Sequence, residues 1–387
     1  MSRVSIRCVD TASELATLAA GWNAVLAKSR TRNPFLTFEW MSTWWDVFGA
    51  DDELSVLVAE EEGQILGIAP LYMETVRHGP GIKIPQLSLL GDKTVGSDFL
   101  DLIVVEGREG DVVPAMLSHL CDRPRWRRLS LRNVAEGAVC RDLLEKRPRG
   151  SALRFCSCVA FRCPYVRLPG SMAEFLATPD STYKHSARRR LRRLSRRPDF
   201  ECCLALPEGE IAAGVNDMVA LHQERWHSMG MPSVFDSERL RVFYRQVAPR
   251  MQQRGWLELT VMKLEGAAIA ALFGLVYEGT YYCLVNACGI KGFAVKAGNA
   301  LMFQRIESFI GRGMEINFLR GEHTYKYQWG AVDRRTMNLC AWRGVEGWIA
   351  PSVLPTARGA ARGIKRILTR RRHEPTRRLR RAPGVDS

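Results

Sequence analysis

The stretch Gly292-Phe-Ala-Val-Lys-Ala-Gly-Asn-Ala-Leu-Met-Phe-Gln-Arg-Ile-Glu-Ser-Phe-Ile-Gly311, followed by Phe318-Leu-Arg-Gly-Glu-His-Thr-Tyr-Lys-Tyr-Gln-Trp329, decides the reading of this chain. Lys296, Gly298 and Asn299 sit where a helix begins. Behind them the apolar Leu301, Met302, Ile306, Phe309 and Ile310 alternate with Gln304, Arg305, Ser308 and Arg312 at helical spacing. A helix start without side-chain bulk offers backbone N–H groups and the positive end of the helix dipole, which suits an anion such as a pyrophosphate. A glycine-containing loop that only caps an ordinary helix would look the same. The polar and aromatic block that follows favours the anion-binding reading.

Around this stretch the chain runs to 387 residues, 46% of them hydrophobic, enough for two cores. The longest apolar runs, Ile65–Met73 and Ala267–Tyr277, have strand length, well short of a membrane span. The opening Met1-Ser-Arg-Val-Ser-Ile lacks the charged-then-apolar layout of a signal peptide, so a cytoplasmic location is expected. The eleven cysteines are scattered, with no Cys-x-x-Cys pair. They read as reduced thiols, mostly small buried hydrophobes, and no metal is expected. His222 and His227 are five apart, a spacing that does not place both imidazoles on one helical face.

The net charge of +15 is concentrated. Tyr183–Arg197 holds Lys184 and seven arginines without one acid, and Ala357–Ser387 holds ten arginines and Lys365 against Glu374 and Asp386. Together these segments exceed the net charge of the whole, so the body of the chain is near neutral. A uniformly basic nucleic-acid protein would not look like this. Leu191 and Leu194 are spaced to anchor a helix in the first run, with its arginines outward toward an anionic partner.

Two stretches repeat a pattern. Leu54-Ser-Val-Leu-Val-Ala-Glu-Glu-Glu-Gly63 and Leu257-Glu-Leu-Thr-Val-Met-Lys-Leu-Glu-Gly266 each alternate toward a Glu-Gly turn and continue into a more apolar strand. An aromatic helix precedes each: Phe38–Phe48 and Met218–Trp226. The order helix, hairpin, strand, helix at half-chain distance predicts a duplicated unit. Pro, Gly and Ser between Pro164 and Pro179 place the boundary, giving units 1–165 and 166–355 and a basic tail 356–387.

The run Leu257–Trp329 resembles the acetyltransferase fold of the GNAT superfamily, and more narrowly its CelD/BcsL-type branch, associated with cellulose and polysaccharide biosynthesis. The branch pattern Asp-Phe-Leu-Arg-Gly-Asp/Glu-x-x-Tyr-Lys-x-x-Trp is met by Asn317–Trp329, and Gly-x(4–5)-Ser-Asp-Tyr/Phe-x-Asp by Gly91–Asp101. Of the GNAT pyrophosphate signature, Gly298 and Ala300 are kept. Val295 stands where Arg or Gln is usual, and Lys296 beside it restores a positive charge. Two such halves in one chain also resemble the Fem-type aminoacyl transferases.

The resemblance implies an α/β (α+β) fold of tandem GNAT-like domains, each a mixed, mostly antiparallel sheet flanked by helices, with the first half not holding the donor. It implies acetyl-CoA or another acyl-CoA as cosubstrate, held by Val295, Lys296, Ala297, Gly298, Asn299 and Ala300. Acyl transfer from a thioester needs an acceptor brought into line, a base for its proton and an acid for the thiolate. Glu322 is the expected base and Tyr325 the expected acid. Arg320 and Lys326 are expected at an anionic part of the substrate, and His222, Arg225 and Trp226 on the acceptor side. The expected activity is N- or O-acylation of a saccharide or amino-sugar in polysaccharide or envelope synthesis. The alternatives are a Fem-like aminoacyl-tRNA-dependent transferase and a non-catalytic GNAT-like binding protein at a membrane. The tail is expected to meet an anionic membrane surface, with Ala357, Ala361, Ile364, Ile367 and Leu368 near one helical face.

Overall fold

The structure is a computed structural model that describes residues 4–78, 81–92, 95–123, 125–145, 153–177 and 181–344. Its strands are β1 (Ser5–Val9), β2 (Glu53–Leu54), β3 (Val56–Glu61), β4 (Gln64–Ala69), β5 (Leu71–His78), β6 (Ile82–Leu89), β7 (Ile103–Val104), β8 (Arg128–Ala135), β9 (Arg154–Arg167), β10 (Phe200–Cys203), β11 (Leu257–Leu264), β12 (Ala267–Tyr277), β13 (Thr280–Cys288), β14 (Glu315–Asn317) and β15 (Val332–Trp342). They form a four-stranded sheet, β1-β3-β4-β7, and an eleven-stranded sheet, β10-β11-β12-β13-β14-β9-β15-β8-β6-β5-β2. Neighbours are antiparallel except β13–β14 and β6–β8. The mixed, mostly antiparallel fold class expected from the sequence is the one observed.

The duplication is visible in fine detail. The β3–β4 turn has positive φ at Glu62 (50°) and Gly63 (78°), and the β11–β12 turn has it at Glu265 (54°) and Gly266 (74°). Both are the turn that matches the twist of a two-residue hairpin. In both hairpins the register slips at the same distance before the turn, between Ala59 and Glu60 and between Met262 and Lys263. The helical parts agree as well. Asn33 accepts the Phe35 N–H at 3.0 Å, and two hundred residues on Ser233 accepts the Phe235 N–H at 3.0 Å. Both phenylalanines are buried. Thr37 then caps the helix Phe38–Phe48, and Ser237 caps the helix Glu238–Gln253. These two helices pack on one another, with Trp40 against Phe243 at 4.9 Å between ring centroids.

The halves are not sequential blocks. β9 spans the expected boundary at residue 165, pairing with β14 through Tyr165, Val166 and Arg167 and with β15 along Arg154–Tyr165. β15, from the end of the chain, lies between β9 and β8 of the first half. A sequence boundary drawn from Pro, Gly and Ser therefore cuts a continuous strand, because a strand exchanged between halves leaves no local signature. The tail 356–387 lies outside the described residues.

The basic run forms the helix Ser181–Ser195, which packs along the helix Ala297–Phe309. Leu194 anchors it as expected, but Leu191 is only half-buried and Lys184 points inward. The Lys184 ammonium donates to the Phe175 carbonyl at 3.3 Å and lies 4.2 Å from the centre of the Phe175 ring. One of the charges counted toward an anionic partner is therefore internal. Among the described residues no helix is long and apolar enough to cross a membrane.

Candidate functional site

The parallel pair β13–β14 holds for three residues only, Thr280 with Glu315, Tyr281 with Ile316 and Tyr282 with Asn317. Beyond that β13 runs on to Cys288 while β14 ends, and the strands part. The segment leaving β14 must find partners for its backbone elsewhere, since unpaired buried amides are costly. Phe318 N–H donates to Pro164 O (2.9 Å) and Gly321 N–H to Arg162 O (3.2 Å), both on β9. Leu319 N–H donates to the Asn317 side chain (2.9 Å) and Arg320 N–H to the Asp98 carboxylate (2.9 Å). The carbonyls of Phe318, Leu319 and Arg320 all accept from the Lys326 ammonium, at 2.8, 3.0 and 2.8 Å. Leu319 and Gly321 take positive φ, 55° and 107°, to make the turn.

This accounting reassigns two expected substrate ligands. Lys326 is buried and spends its three donors on those carbonyls, so none is left for a substrate. Burial lowers its pKa. The Arg320 guanidinium pairs with buried Asp98 at 3.0 Å, donates to the Ser97 carbonyl and lies over Phe161. The Gly91–Asp101 motif of the first half thus grips the Asn317–Trp329 motif of the second. Asp101 is equally structural: it accepts from Val139 and Cys140 N–H (2.8 Å each) and from the Thr31 hydroxyl (2.7 Å).

Glu322, the expected base, lies on the surface with its side chain 61% exposed, 3.5 Å from Arg162. It does not line the cleft described next. The positive φ of Gly321 turns the chain just before it, a conformation that strand-and-motif reading does not reveal.

A cleft of about 310 Å³ opens where the strands part. It gathers His222, Arg225 and Trp226 from the helix Ile211–His227, Lys296, Gly298 and Asn299 from the start of the helix Ala297–Phe309, and Tyr325. Lys296 is left-handed (φ 58°, ψ 37°), so it separates the short helix Ile290–Ala294 from the longer one. Val295 lies between these helices. Ala297 and Ala300 are buried in the core at the helix start, and the Ala300 N–H donates to the Lys296 carbonyl at 3.3 Å. Two nearby glycines have different duties. A Cβ on Gly292 would meet the Ile269 carbonyl at 2.0 Å, so the fold itself requires that glycine. A Cβ on Gly298 would meet Asn286 and Cys288 only at 3.4 and 3.7 Å, so its bareness serves the cleft and not the packing.

The sequence reading missed Asn286, Cys288 and Phe293, which also line the cleft. A polar Asn286 near the end of an apolar strand, just before the glycine loop, was the available signal. The Phe293 ring carries two cations, Arg225 at 3.8 Å and Lys296 at 4.5 Å. Among the described residues neither cation pairs with a carboxylate, so the mouth of the cleft is positive and suited to an anion.

His222 stacks on Trp226 (5.6 Å, 16°), and its Nδ1 is 2.8 Å from the Ser233 hydroxyl. Burial lowers its pKa to about 4, with Asp236 opposing, so the imidazole is neutral at pH 7. Burial raises the Tyr325 pKa, so its phenol stays protonated. Cys288 is likewise held as a thiol by burial. His227 faces Asp236 (2.9 Å), away from this set. Among the described residues no cluster of three His, Cys, Asp or Glu side chains could hold a metal.

The first half differs at the corresponding positions. Two hundred residues before His222, Arg225 and Trp226 stand Trp22, Val25 and Leu26, all buried in the core. The helix after β7, Glu109–Asp122, opens with Glu109 and Asp111 in its first turn, which would repel a phosphate.

Residues 181–327 match the family model described as Acetyltransferase (GNAT) domain. No curated protein matches the sequence. Among solved structures, FemX is similar at TM-score 0.58 and 9% identity, over 90% of this chain and 99% of that one. A conserved protein of unknown function from Bacteroides thetaiotaomicron VPI-5482 is similar at TM-score 0.55 and 14% identity, over 88% of this chain and 100% of that one. At these identities the likeness is one of fold, and it covers both GNAT-like halves.

The geometry sets the stability of three variants. Asp98→Ala leaves the Arg320 guanidinium and N–H without their partner and costs about 3–5 kcal/mol of unfolding free energy. Glu322→Gln, at an exposed pair, costs less than about 1 kcal/mol; denaturant titration reads both. For His222 the folded pKa, about 4, is below the ordinary 6.5, so the unfolded chain binds the proton first. Stability is lost as pH falls from 6.5 toward about 4. His222→Gln should flatten that part of the stability–pH curve, and an unchanged curve would place the loss elsewhere.

Proposed function

We propose that this protein is an acyl-CoA-dependent N- or O-acyltransferase, with acetyl-CoA as donor, acting on a saccharide or amino-sugar intermediate of polysaccharide or cell-envelope synthesis. The observation that carries the reaction class is the cleft at the parting of β13 and β14, which joins two cations without a carboxylate partner among the described residues, a bare glycine at a helix start and a protonated tyrosine. The saccharide and its pathway rest on the CelD/BcsL resemblance, with Trp226 as an aromatic platform at the acceptor side.

In this reading the donor's pyrophosphate lies at Lys296 and the backbone of Val295–Ala300, and its thioester reaches toward Tyr325. A neutral amine or hydroxyl of the acceptor attacks the thioester carbonyl. A carbon–nitrogen or carbon–oxygen bond forms and the carbon–sulfur bond breaks. Neutral His222 takes the acceptor's proton, directly or through a water. Tyr325 protonates the departing thiolate and regains its proton from solvent. No covalent enzyme intermediate is needed. The first half contributes support for the loop at Arg320 and holds no donor.

Tyr325→Phe is expected to lower turnover by about 10²–10⁴-fold, the range for a lost acid, with acetyl-CoA binding kept. Gly298→Val is expected to weaken acetyl-CoA binding while the unfolding midpoint stays close to that of the wild type. Glu322→Gln should leave thiol release near the wild-type rate. If Tyr325→Phe turns over like the wild type, this chemistry is wrong. An intact fold that releases no thiol from any acyl-CoA would favour a binding protein instead.

A second reading, a Fem-like aminoacyl-tRNA-dependent transferase, is favoured by one observation: the arginine helix Ser181–Ser195 lies beside the donor helix, with Arg189, Arg192 and Arg193 exposed and Arg196 exposed just past its end. Salt-sensitive tRNA binding without acyl-CoA binding would select it.

The basic tail is proposed to hold the protein peripherally at an anionic membrane from the cytoplasmic side, at roughly 1 kcal/mol per basic residue near the surface. Full-length protein should sediment with anionic vesicles at low salt, and removal of the residues after Pro355 should abolish this with acyl-CoA binding intact. Equal sedimentation of the truncated protein would refute the tail's role.

A further inference from the structure

A second cleft, of about 520 Å³, shares Lys296 and Asn299 with the first. Its other walls come from one face of the arginine helix, where Thr182, Ser186 and Arg190 follow at intervals of four, and from Gln328. Among the described residues no carboxylate and no aliphatic side chain lines it. Its walls are hydroxyls, amides and two cations, Arg190 and Lys296, and among the described residues Arg190 pairs with no acid. One further group is left over. Tyr183 lines the same cleft with its ring edge-on to Trp329 at 5.0 Å, and its hydroxyl is buried without a hydrogen-bond partner among the described residues. A buried phenol that lacks an acceptor, beside two cations and several neutral donors, describes a seat for a multiply charged oxyanion.

Lys296 stands between the two clefts, and this decides which anion. The proposal that follows rests on the acyl-CoA reading above. A ligand whose pyrophosphate lies at Lys296 and whose thioester lies in the first cleft must leave its nucleotide end on the far side, toward the arginine helix. Coenzyme A carries there a phosphate monoester on the 3′-oxygen of its ribose. We propose that Arg190, with Ser186, Thr182 and the Tyr183 hydroxyl, binds that 3′-phosphate. The helix Ser181–Ser195, which precedes the β10–β14 unit, then acts as a selector for donors bearing a 3′-phosphate. Arg190 is a binding residue remote from the reacting atoms, and its loss changes donor affinity without touching the chemistry at Tyr325. The exposed arginines on the outer face of the same helix, such as Arg189, take no part in this selection.

The test is a titration calorimetry matrix at fixed ionic strength, using full-length protein with acetyl-CoA and 3′-dephospho-acetyl-CoA. Wild type should bind acetyl-CoA about 10–100-fold more tightly than the dephospho form, the range for charge-assisted hydrogen bonds. Arg190→Gln should bind both forms with the wild-type affinity for the dephospho form. Arg190→Lys should keep part of the preference, and Arg189→Gln should keep all of it. Unfolding midpoints of the variants confirm that each is folded. Equal affinity of wild type for the two forms overturns the proposal, as does an Arg190→Gln variant that still discriminates; both leave the acyl-CoA reading standing. Wild-type protein that binds neither form refutes the acyl-CoA reading itself and this proposal with it.

Discussion

Strands β13 and β14 stay together for three residue pairs and then separate, and the segment leaving β14 survives because the N–H groups of Phe318–Gly321 and the carbonyls of Phe318–Arg320 have partners. Lys326 supplies three of those bonds and Asp98, from the other half of the chain, supplies another. A parted pair of strands in a packed sheet would otherwise expose unpaired amides, at a cost of about 1–3 kcal/mol each. The gap between the strands is therefore a built feature, held by an ammonium and a carboxylate whose bonds go to the chain itself. Around it the sequence places a glycine without packing duty, two cations over the Phe293 ring and a phenol kept protonated by burial.

The halves share a scaffold but differ at the positions that face this cleft. Hairpins, register slips and helix caps agree between the halves, so the scaffold was copied with its fine geometry. Where the helix Ile211–His227 gives the cleft His222, Arg225 and Trp226, the first half carries Trp22, Val25 and Leu26, all buried in core. What the first half supplies is rigidity: Asp98 for the loop, and β8 as the neighbour of the chain's last described strand.

Local features of this fold were legible in the sequence. The Glu-Gly turns, the aromatic helix Phe38–Phe48 and the helix start near Gly298 are set by nearby residues and by periodicity, and they appear where expected. His222, Arg225, Trp226, Lys296, Gly298 and Tyr325 converge in one cleft although they come from three separate segments. The misreadings concern partners far away in sequence. Arg320 and Lys326 look like free cations because Asp98 is more than two hundred residues off and carbonyl acceptors are invisible in a sequence. Glu322 looks placed for catalysis until the turn at Gly321 sends it outward. The exchange of β15 into the first half has no local marker, since a strand reads the same whichever sheet it joins.

The most direct measurement is hydrogen–deuterium exchange of the full-length protein with and without saturating acetyl-CoA. If the second half alone holds the donor, protection will rise at the end of β13, through Val295–Ala300 and around Tyr325. The corresponding stretch of the first half, β7 and the start of the helix Glu109–Asp122, will exchange as in the free protein. Protection that appears at that first-half stretch, or at neither place, would contradict a donor site built at the parting of β13 and β14.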